Sequence, residues 1–351
     1  MINKLKKNIS SHIEIVMTQK DIHLEKLRDV IRRKHFALST ERTYVLWVAK
    51  FWDAARSMAP DMTREKKVEV FLTAEARRGC AASTQNQAFN AIVFFFNSVL
   101  GTPLGDVKAL RAKRSATLRV APSRSDTIAL LKQVPDVAGY PTKLISHLLY
   151  GCGLRVSEPL NLRIKDVDFE NSRLLIWEAK GGKSRIVGLP CALVFEIRQQ
   201  MKLARAIWER DNKVGIPVPL PGLLANKARC NAKAWSWYWL FPAHGTCVHP
   251  RTGEIVRWRC HQANVQRAVK YAARKIGLDG VITPHNLRHA YATHVIDAGA
   301  SVRDVQSALG HKSLDTTMDY VHPDGMRVHS PLDQFNPNPA TSALGCEQIG
   351  R

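Results

Sequence analysis

The sequence lacks regularly spaced cysteine pairs and a long apolar run, and it has too few acidic residues to balance its basic ones. Its seven cysteines are scattered, odd in number and never spaced C-x-x-C, which predicts reduced thiols in a cytosolic protein. No apolar run is long enough to span a bilayer. The basic N-terminus has no compact apolar core and no small-residue cleavage site, so we expect an extra helix or a flexible arm in a cytoplasmic protein.

The shortage of acidic residues is the strongest compositional signal. Lys and Arg together number 52, Asp and Glu only 30, which gives a formal net charge of +22 over 351 residues. This excess predicts a polyanionic partner, and nucleic acid is favoured over a membrane surface. The length is sufficient for two domains. A loose group of possible zinc ligands matches no common zinc module, so we predict no metal site: Cys230, His244, Cys247, His249, Cys260 and His261.

The N-terminal part of the chain is predicted to be entirely helical. After an extension at 1–20, residues 21–110 contain four segments with apolar residues at helical spacing, opened by Ser39-Thr40, Thr63 and Ser83-Thr84 after the first. Four such helices with short loops predict a compact bundle whose aromatic stripes form its core. Its exposed basic side chains would contact DNA phosphates, or simply form a solvated face: Arg32, Arg33, Lys34, His35, Arg42 and Lys50.

A basic, aperiodic linker at 111–125 leads to a second domain at 126–335 and a polar tail at 336–351. Ser125 is the expected N-cap of the first helix of this domain. Gly153 permits a tight turn that places Arg155. Alternating apolar residues then predict a hairpin around Gly181-Gly182, with Lys180 and Lys183 beside the turn. The fold class is therefore mainly α with a small antiparallel β-sheet (α+β).

The segment at about 212–250 is the least ordinary part of the second domain. Closely spaced prolines exclude a continuous helix. Five aromatic residues follow within seven positions, and they cannot all face one core: Trp235, Trp237, Tyr238, Trp239 and Phe241. Some of them would stack on unpaired bases, and the alternative is packing in a core or a protein interface.

The stretch from Thr283 to His322 concentrates the residues with chemical potential. Pro284 suits the first position of a helix on which His285, Arg288 and His289 share one face. Gly299 ends that helix, and Ser301 is the expected N-cap of a second short helix that runs to Gly310. His311 and Tyr320 follow. A helix-turn-helix is the simpler alternative, but it leaves the histidine, arginine and tyrosine without a role.

Together these residues suit phosphoryl transfer. Two arginines clamp phosphate oxygens, histidines donate hydrogen bonds or move protons, a lysine protonates a leaving oxygen, and a tyrosine attacks as nucleophile. Fixed cations would stabilise the transition state, so we expect no cofactor. The candidate residues are Arg155, Lys180, His285, Arg288, His311 and Tyr320.

The motifs GLRVSE, AKGGK, HNLRH, LGH and TTMDY, in this order, resemble those of the tyrosine recombinases. The resemblance covers residues 21–335 and implies an N-terminal four-helix core-binding (SAM-like) domain followed by the catalytic domain. STERTY, AASTQNQA, LNLRIKDVDF and HSPLDQF, with the aromatic insertion, are similar to the integron integrases in particular.

The resemblance implies a role for each matched residue. Tyr320 would form a 3′-phosphotyrosine link, Arg155 and Arg288 would hold the scissile phosphate, and Lys180 (or Lys183 in its place) would protonate the 5′-hydroxyl. His285 and His311 would assist, with Glu158 orienting Arg155 and His289 in support. The enzyme would act on DNA as a homotetramer, with the segment after Tyr320 docked on a neighbouring protomer.

In the integron subfamily the insertion contacts bases flipped out of a folded single-stranded attachment site, which implies such contacts for Trp235, Trp237, Trp239 and Pro250. Trp258 and Arg259 stand where that subfamily has two adjacent histidines. Three alternatives remain: a phage or transposon recombinase acting on duplex sites only, a type IB topoisomerase, and an architectural DNA-binding protein.

Overall fold

The computed structural model describes residues 18–109, 121–177, 184–221, 229–280 and 282–310. The chain forms two compact units, Met1–Leu118 and Arg119–Arg351, which divide inside the predicted linker. Most of the described residues are helical, with two small antiparallel sheets, which confirms the predicted α+β class. No helix within the described ranges is long and apolar enough to cross a membrane.

The first unit is a helical bundle around an aromatic core. Its described helices are α1 (Gln19–Arg33), α2 (Leu38–Arg56), α3 (Arg64–Arg77) and α4 (Ala82–Ser98). Helix α2 packs against α1 and α4, and α3 packs against α4. The predicted aromatic stripe is buried at Trp47 and Phe51, where it meets Phe71 and Phe96 of the neighbouring helices.

The predicted starts of these helices are only partly right. Thr63 caps α3 by accepting a hydrogen bond from the Lys66 amide, as expected. Helices α2 and α4 instead begin at Leu38 and Ala82, so Ser39-Thr40 and Ser83-Thr84 lie within their first turns. Contacts with neighbouring helices override the capping preference here. Buried Glu41 accepts from Arg32, and buried Gln85 donates to the carbonyl of Leu72.

The second unit combines helices with two small sheets. Its described helices are α5 (Arg124–Gln133), α6 (Thr142–Gly151), α7 (Ser157–Asn161), α8 (Val194–Lys213), α9 (Gln262–Lys275), α10 (Pro284–Asp297) and α11 (Val302–Leu309). Its strands are β1 (Val167–Asp168), β2 (Arg173–Trp177), β3 (Ser184–Gly188), β4 (Pro242–Val248) and β5 (Ile255–Arg259). Helix α5 is capped by Ser123, whose hydroxyl accepts from the Asp126 amide, so the prediction of Ser125 as the cap is wrong.

Helix α6 is the centre of this unit, and it fixes the position of α10. Leu148, Leu149 and Tyr150 are completely buried, and α6 packs against both α9 and α10. The Tyr150 hydroxyl lies 2.9 Å from Nδ1 of His294, whose Nε2 lies 3.1 Å from the carbonyl of Pro122. Because a carbonyl only accepts, Nε2 carries the hydrogen and Nδ1 accepts from the tyrosine. Burial lowers the pKa of His294, which favours the neutral ring that this arrangement requires.

The two sheets are antiparallel. In the first, of order β1-β2-β3, Leu174 pairs with Val187 and Ile176 pairs with Arg185, which confirms strands on both sides of the predicted hairpin turn. The turn itself lies outside the described residues. Strands β4 and β5 form the second sheet, with an irregular register between Pro242 and Thr246.

Gly153 ends the segment after α6 in a conformation that other residues rarely adopt, with φ of +62°. A Cβ atom there would lie 2.5 Å from Cδ1 of Tyr291 and 3.0 Å from Cδ2 of Leu309. The glycine therefore allows the turn before Arg155 to lie directly against α10 and α11.

Gly153→Ala is expected to destabilise the fold by about 1–3 kcal/mol through overpacking, in addition to the left-handed backbone strain. Urea unfolding of the purified chain measures this loss. Gly277→Ala is the matched control, because its φ is +75° but nothing lies within 4 Å of the added atom. Equal losses in the two variants would show that the contact with Tyr291 is unimportant.

Candidate active site

Helix α10 carries the first group of predicted site residues. Pro284 occupies its first turn, and both the backbone N–H and the hydroxyl of Thr283 donate to Oδ1 of Asn286, at 3.0 and 2.6 Å. The helix then presents the rings of His285 and His289 side by side, with centroids 4.5 Å apart. His285 is exposed, whereas Arg288 points inward and its side chain is only 3% exposed.

Arg155 and Glu158 lie where the chain leaves the Gly153 turn. The Arg155 backbone N–H donates to Oε2 of Glu158 at 2.8 Å, and its Nη1 donates to Oε1 at 2.9 Å. The Glu158 side chain is 7% exposed, but that of Arg155 is 39% exposed. A buried carboxylate thus holds an arginine whose guanidinium reaches the surface.

Arg288 reaches the same carboxylate from the other side. Its Nη1 lies 3.7 Å from Oε2 of Glu158 and donates to the carbonyl of Gly153 at 2.7 Å. Its Nη2 donates to the carbonyl of Leu309 at 2.6 Å. Arg155 and Arg288, predicted from separate motifs 133 positions apart in the printed sequence, are therefore brought together at Glu158.

A third arginine, which the sequence reasoning missed, makes the closest pair with Glu158. Arg185 on β3 donates from Nη1 to Oε1 at 2.8 Å and from Nη2 to Oε2 at 2.7 Å. Its Nε donates to the carbonyl of Ala308 at 2.8 Å. The sequence did carry a signal for this role: Arg185 is a charged residue in the second strand of a predicted hairpin. Its position pairs with the buried Ile176 of the first strand.

The charge of this cluster is suited to an anion. Burial by itself would raise the pKa of Glu158, but hydrogen bonds and charge from Arg185, with contributions from Arg155 and Arg288, hold it below its ordinary value. One carboxylate therefore faces three guanidinium groups, and two positive charges remain. Such a pair of fixed cations is what a phosphate ester and its more negative transition state require.

The other predicted catalytic residues are outside the described ranges. These are Lys180, with its alternative Lys183, and His311 and Tyr320. The strands on either side of the hairpin turn are described: β2 ends at Trp177 and β3 begins at Ser184. Helix α11, capped by Ser301 as predicted, ends at a left-handed Gly310 with φ of +64°.

The aromatic insertion has an inner and an outer part. Trp239 is only 6% exposed and donates its indole N–H to the carbonyl of Arg257, so its side chain belongs to the core and not to a base-stacking surface. Trp235 is half-buried against Trp208 and Tyr238. Trp237 is half-buried too, but it lies against the cationic side chains of Arg163 and Lys165, and we assign it to the outer part.

Two residues from outside the insertion, Lys165 and Trp177, join Trp237 on this outer side. The sequence analysis did not select them. The ammonium of Lys165 lies 3.4 Å from the ring centroid of Trp237 and 5.3 Å from that of Trp177. Trp177 is 54% exposed, and its indole N–H donates to Asp166. We call Lys165, Trp177 and Trp237 the aromatic platform. Such a surface suits nucleic acid, because an aromatic ring can stack on a base while an ammonium group binds a phosphate.

Three further predicted contacts lie on the β4–β5 hairpin. Pro250 is exposed in the turn that follows β4, and Trp258 and Arg259 are half-buried on β5. Trp258 contacts the ring of His249, with centroids 5.4 Å apart. No group of His, Cys, Asp or Glu within the described residues is arranged to hold a metal ion, and this includes the cysteines and histidines of the insertion that had raised zinc as an alternative.

The predicted DNA-contacting residues of the first unit cluster at the junction of α1 and α2. Arg33, Lys34, His35 and Arg42 are exposed. Arg32 is paired with buried Glu41 at 2.9 Å, which raises its pKa and directs part of its guanidinium toward the protein.

Glu158→Gln is expected to destabilise the protein by about 3–5 kcal/mol at pH 7, because three buried or half-buried guanidinium groups lose their counter-charge. The pKa of Glu158 is lowered in the fold, so its stabilising contribution is complete above its ordinary value of 4.5. That contribution is lost as the pH falls through the lower folded-state pKa.

Urea unfolding from pH 7 downwards should therefore show a gap between wild type and Glu158→Gln that closes in acid. Glu170→Gln, at an exposed position, is the matched control and should stay within about 0.5 kcal/mol of wild type. A gap that does not depend on pH would contradict the buried ion cluster.

Comparison with known proteins connects this geometry to a family. Residues 124–327 match the phage integrase family, and residues 23–106 match the N-terminal SAM-like domain of phage integrases. An integrase/recombinase of Escherichia coli is 36% identical over 320 residues, covering 90% of this chain and 94% of that protein. The tyrosine recombinase XerA of Pyrococcus horikoshii is 31% identical, covering 85% of this chain and 87% of its own length.

Solved structures agree on the fold. The Tn1549 transposon integrase, in complex with circular intermediate DNA, aligns with a TM-score of 0.53 at 16% identity and covers 87% of this chain and 97% of that one. The XerH site-specific recombinase, in a pre-cleavage complex with its difH substrate, aligns with a TM-score of 0.52 at 19% identity and covers 92% and 89%. The chain therefore belongs to the phage integrase family of tyrosine recombinases.

Proposed function

We propose that this tyrosine recombinase cleaves and rejoins DNA through Tyr320 and that its substrates are integron gene cassettes. The observation that carries the proposal is the pair of arginines, Arg155 and Arg288, held together by the buried Glu158. Membership of the family supports DNA cleavage and rejoining in general. The assignment of individual residues rests on the motifs and on this cluster.

In the proposed reaction the Tyr320 hydroxyl attacks the scissile phosphorus, and the bond to the 5′-oxygen breaks. Arg155 and Arg288 stabilise the two negative charges of the transition state, and Lys180 protonates the departing 5′-oxygen. His285 and His311 donate hydrogen bonds and accept the tyrosine proton, with His289 beside His285 in support. Attack by a 5′-hydroxyl on the phosphotyrosine reverses the steps, so the phosphodiester energy is retained and ATP is not needed.

The aromatic platform supports folded single-stranded sites as the substrate. Trp177 is 54% exposed, and the ammonium of Lys165 lies 5.3 Å from its ring centroid and 3.4 Å from that of Trp237. An unpaired base could stack there while the ammonium contacts a phosphate, and duplex DNA offers no such base. Pro250, Trp258 and Arg259 would make further contacts with the DNA, and Trp235, packed on Trp208 and Tyr238, would support the insertion.

The remaining partners follow the same proposal. The exposed basic residues of the first unit, with Arg32 beside them, would contact the DNA backbone. Four protomers would assemble on two DNA sites in the bacterial cytoplasm, at the nucleoid. A second candidate is recombination of duplex sites only, and the solved neighbours are complexes with a circular intermediate DNA and with a difH substrate.

Tyr320→Phe is expected to abolish the covalent protein–DNA complex while leaving DNA affinity within about threefold, because one hydroxyl is removed from the reaction alone. The measurement uses a cassette-site strand with a nick just past the cleavage position, so that the leaving fragment diffuses away. A denaturing gel detects the adduct, and a mobility-shift titration gives the affinity. An adduct that persists in the variant would show that another nucleophile acts.

Trp237→Ala is expected to weaken binding to a folded bottom-strand site by about 1–3 kcal/mol, the value of one base–aromatic stack, with little effect on a duplex site. Trp208→Ala is the matched control, because this tryptophan is also half-buried but packs on Trp235 inside the insertion. Equal losses on both DNA forms would favour the duplex-only candidate.

A further inference from the structure

Arg185 lies beside the proposed phosphate site but is turned away from it. Its side chain is 10% exposed, and all three of its nitrogens donate to protein oxygens, two of them to Glu158 and one to the carbonyl of Ala308. Arg155, by contrast, is 39% exposed and pairs with Glu158 through a single side-chain nitrogen. What sets Arg185 apart is its two-bond contact with both oxygens of Glu158, which suits a support for that carboxylate.

Arg185 also lies close in the chain or in space to the segments that lead to two other proposed catalytic residues, Lys180 and His311. It is the second residue of β3, which begins immediately after the hairpin segment that contains Lys180. Its Nε bond to Ala308 fixes the last turn of α11, three residues before His311 in the sequence. A Cβ atom at Gly310 would lie 3.0 Å from Cδ of Arg185, so the left-handed turn at the end of α11 sits directly on this side chain.

We propose that Arg185 is a positioning residue for DNA cleavage, which orients Glu158 and through it the phosphate-clamping pair Arg155 and Arg288. The proposal rests on the function proposed above for that pair. Arg185 takes both oxygens of Glu158 in a planar two-bond contact, so it fixes the plane of the carboxylate. The carboxylate in turn fixes Nη1 of Arg155 and lies 3.7 Å from Nη1 of Arg288.

Lysine cannot replace this arginine. An ammonium retains the charge, but a single nitrogen cannot bridge both oxygens of Glu158 and the carbonyl of Ala308 in one plane. In Arg185→Lys the carboxylate would turn toward Arg155 and Arg288 and draw them from the scissile phosphate. A displacement of about 1 Å at a reacting group costs on the order of 100-fold in rate.

The test measures single-turnover cleavage of nicked DNA at saturating protein by wild type, Arg185→Lys and Glu158→Gln. Three scissile groups are compared. The first is an ordinary phosphodiester. The second is a methylphosphonate, which lacks one negative charge and so depends less on the arginines. The third is a 5′-bridging phosphorothiolate, whose sulfur leaves without needing a proton from the lysine.

We expect Arg185→Lys to cleave the phosphodiester about 100-fold more slowly, with DNA affinity within about threefold of wild type. The loss should shrink by at least about tenfold on the methylphosphonate and stay unchanged on the phosphorothiolate, because the missing element is charge stabilisation. Glu158→Gln should show the same pattern. The double variant should be little worse than either single variant, since both act through one contact.

Arg257→Lys is the matched control for a purely structural loss. Arg257 of β5 forms a comparably buried two-bond pair with Asp211 of α8, and the two side chains are 9% and 3% exposed. Thermal unfolding shows whether the two lysine variants lose similar stability. In Arg257→Lys any change in cleavage should be the same for all three scissile groups.

Two patterns would overturn the proposal while leaving the enzyme intact. An equal loss by Arg185→Lys on all three groups, matching the control, would make Arg185 structural only. If Arg185→Lys regained the wild-type cleavage rate only on the phosphorothiolate, Arg185 would act through the lysine of the hairpin. A wild-type protein that forms no adduct dependent on Tyr320 would overturn the proposed function, and this inference with it.

Discussion

A buried carboxylate shared among three guanidinium groups is the interaction on which the candidate site depends. Glu158 receives hydrogen bonds from Arg155 and Arg185 and lies 3.7 Å from Arg288. Those arginines come from a turn, a strand and a helix that are distant in the chain. Burying one negative charge would be costly by itself, and the surrounding cations offset that cost while retaining an excess of positive charge. The same contact thus stabilises the fold and prepares a site for an anion.

The glycines near this contact make the convergence possible. Gly153 has no room for a Cβ atom against Tyr291, and Gly310 places the end of α11 against Arg185. The carbonyls of Gly153 and Leu309 then accept from Arg288. A second buried pair, Arg257 with Asp211, supports the insertion in a comparable way, because Arg257 also donates to the carbonyls of Ala243 and His244. In both places an inward arginine supports residues that face outward.

Local signals in the sequence predicted local structure well. Proline at the start of α10, glycine at its end, serine as the cap of α11 and the tight turn at Gly153 all depend on neighbouring residues, and the structure confirms them. The motifs also led to Arg155, Glu158 and Arg288 before their contacts were known. Arg185 could not be found in this way, because its role arises from contacts with residues 27 and 123 positions away. The same reason explains Trp239, since a run of aromatic residues does not reveal which of them the core encloses.

Identification of the residue that carries the DNA tests the central claim most directly. The covalent complex trapped on a nicked cassette site would be digested with trypsin and nuclease, and the modified peptide sequenced by mass spectrometry. The account predicts one modified peptide, with a nucleotide attached through its 3′-phosphate to Tyr320. Attachment at any other residue, or through a 5′-phosphate, would contradict the proposed nucleophile and the arrangement of arginines built around it.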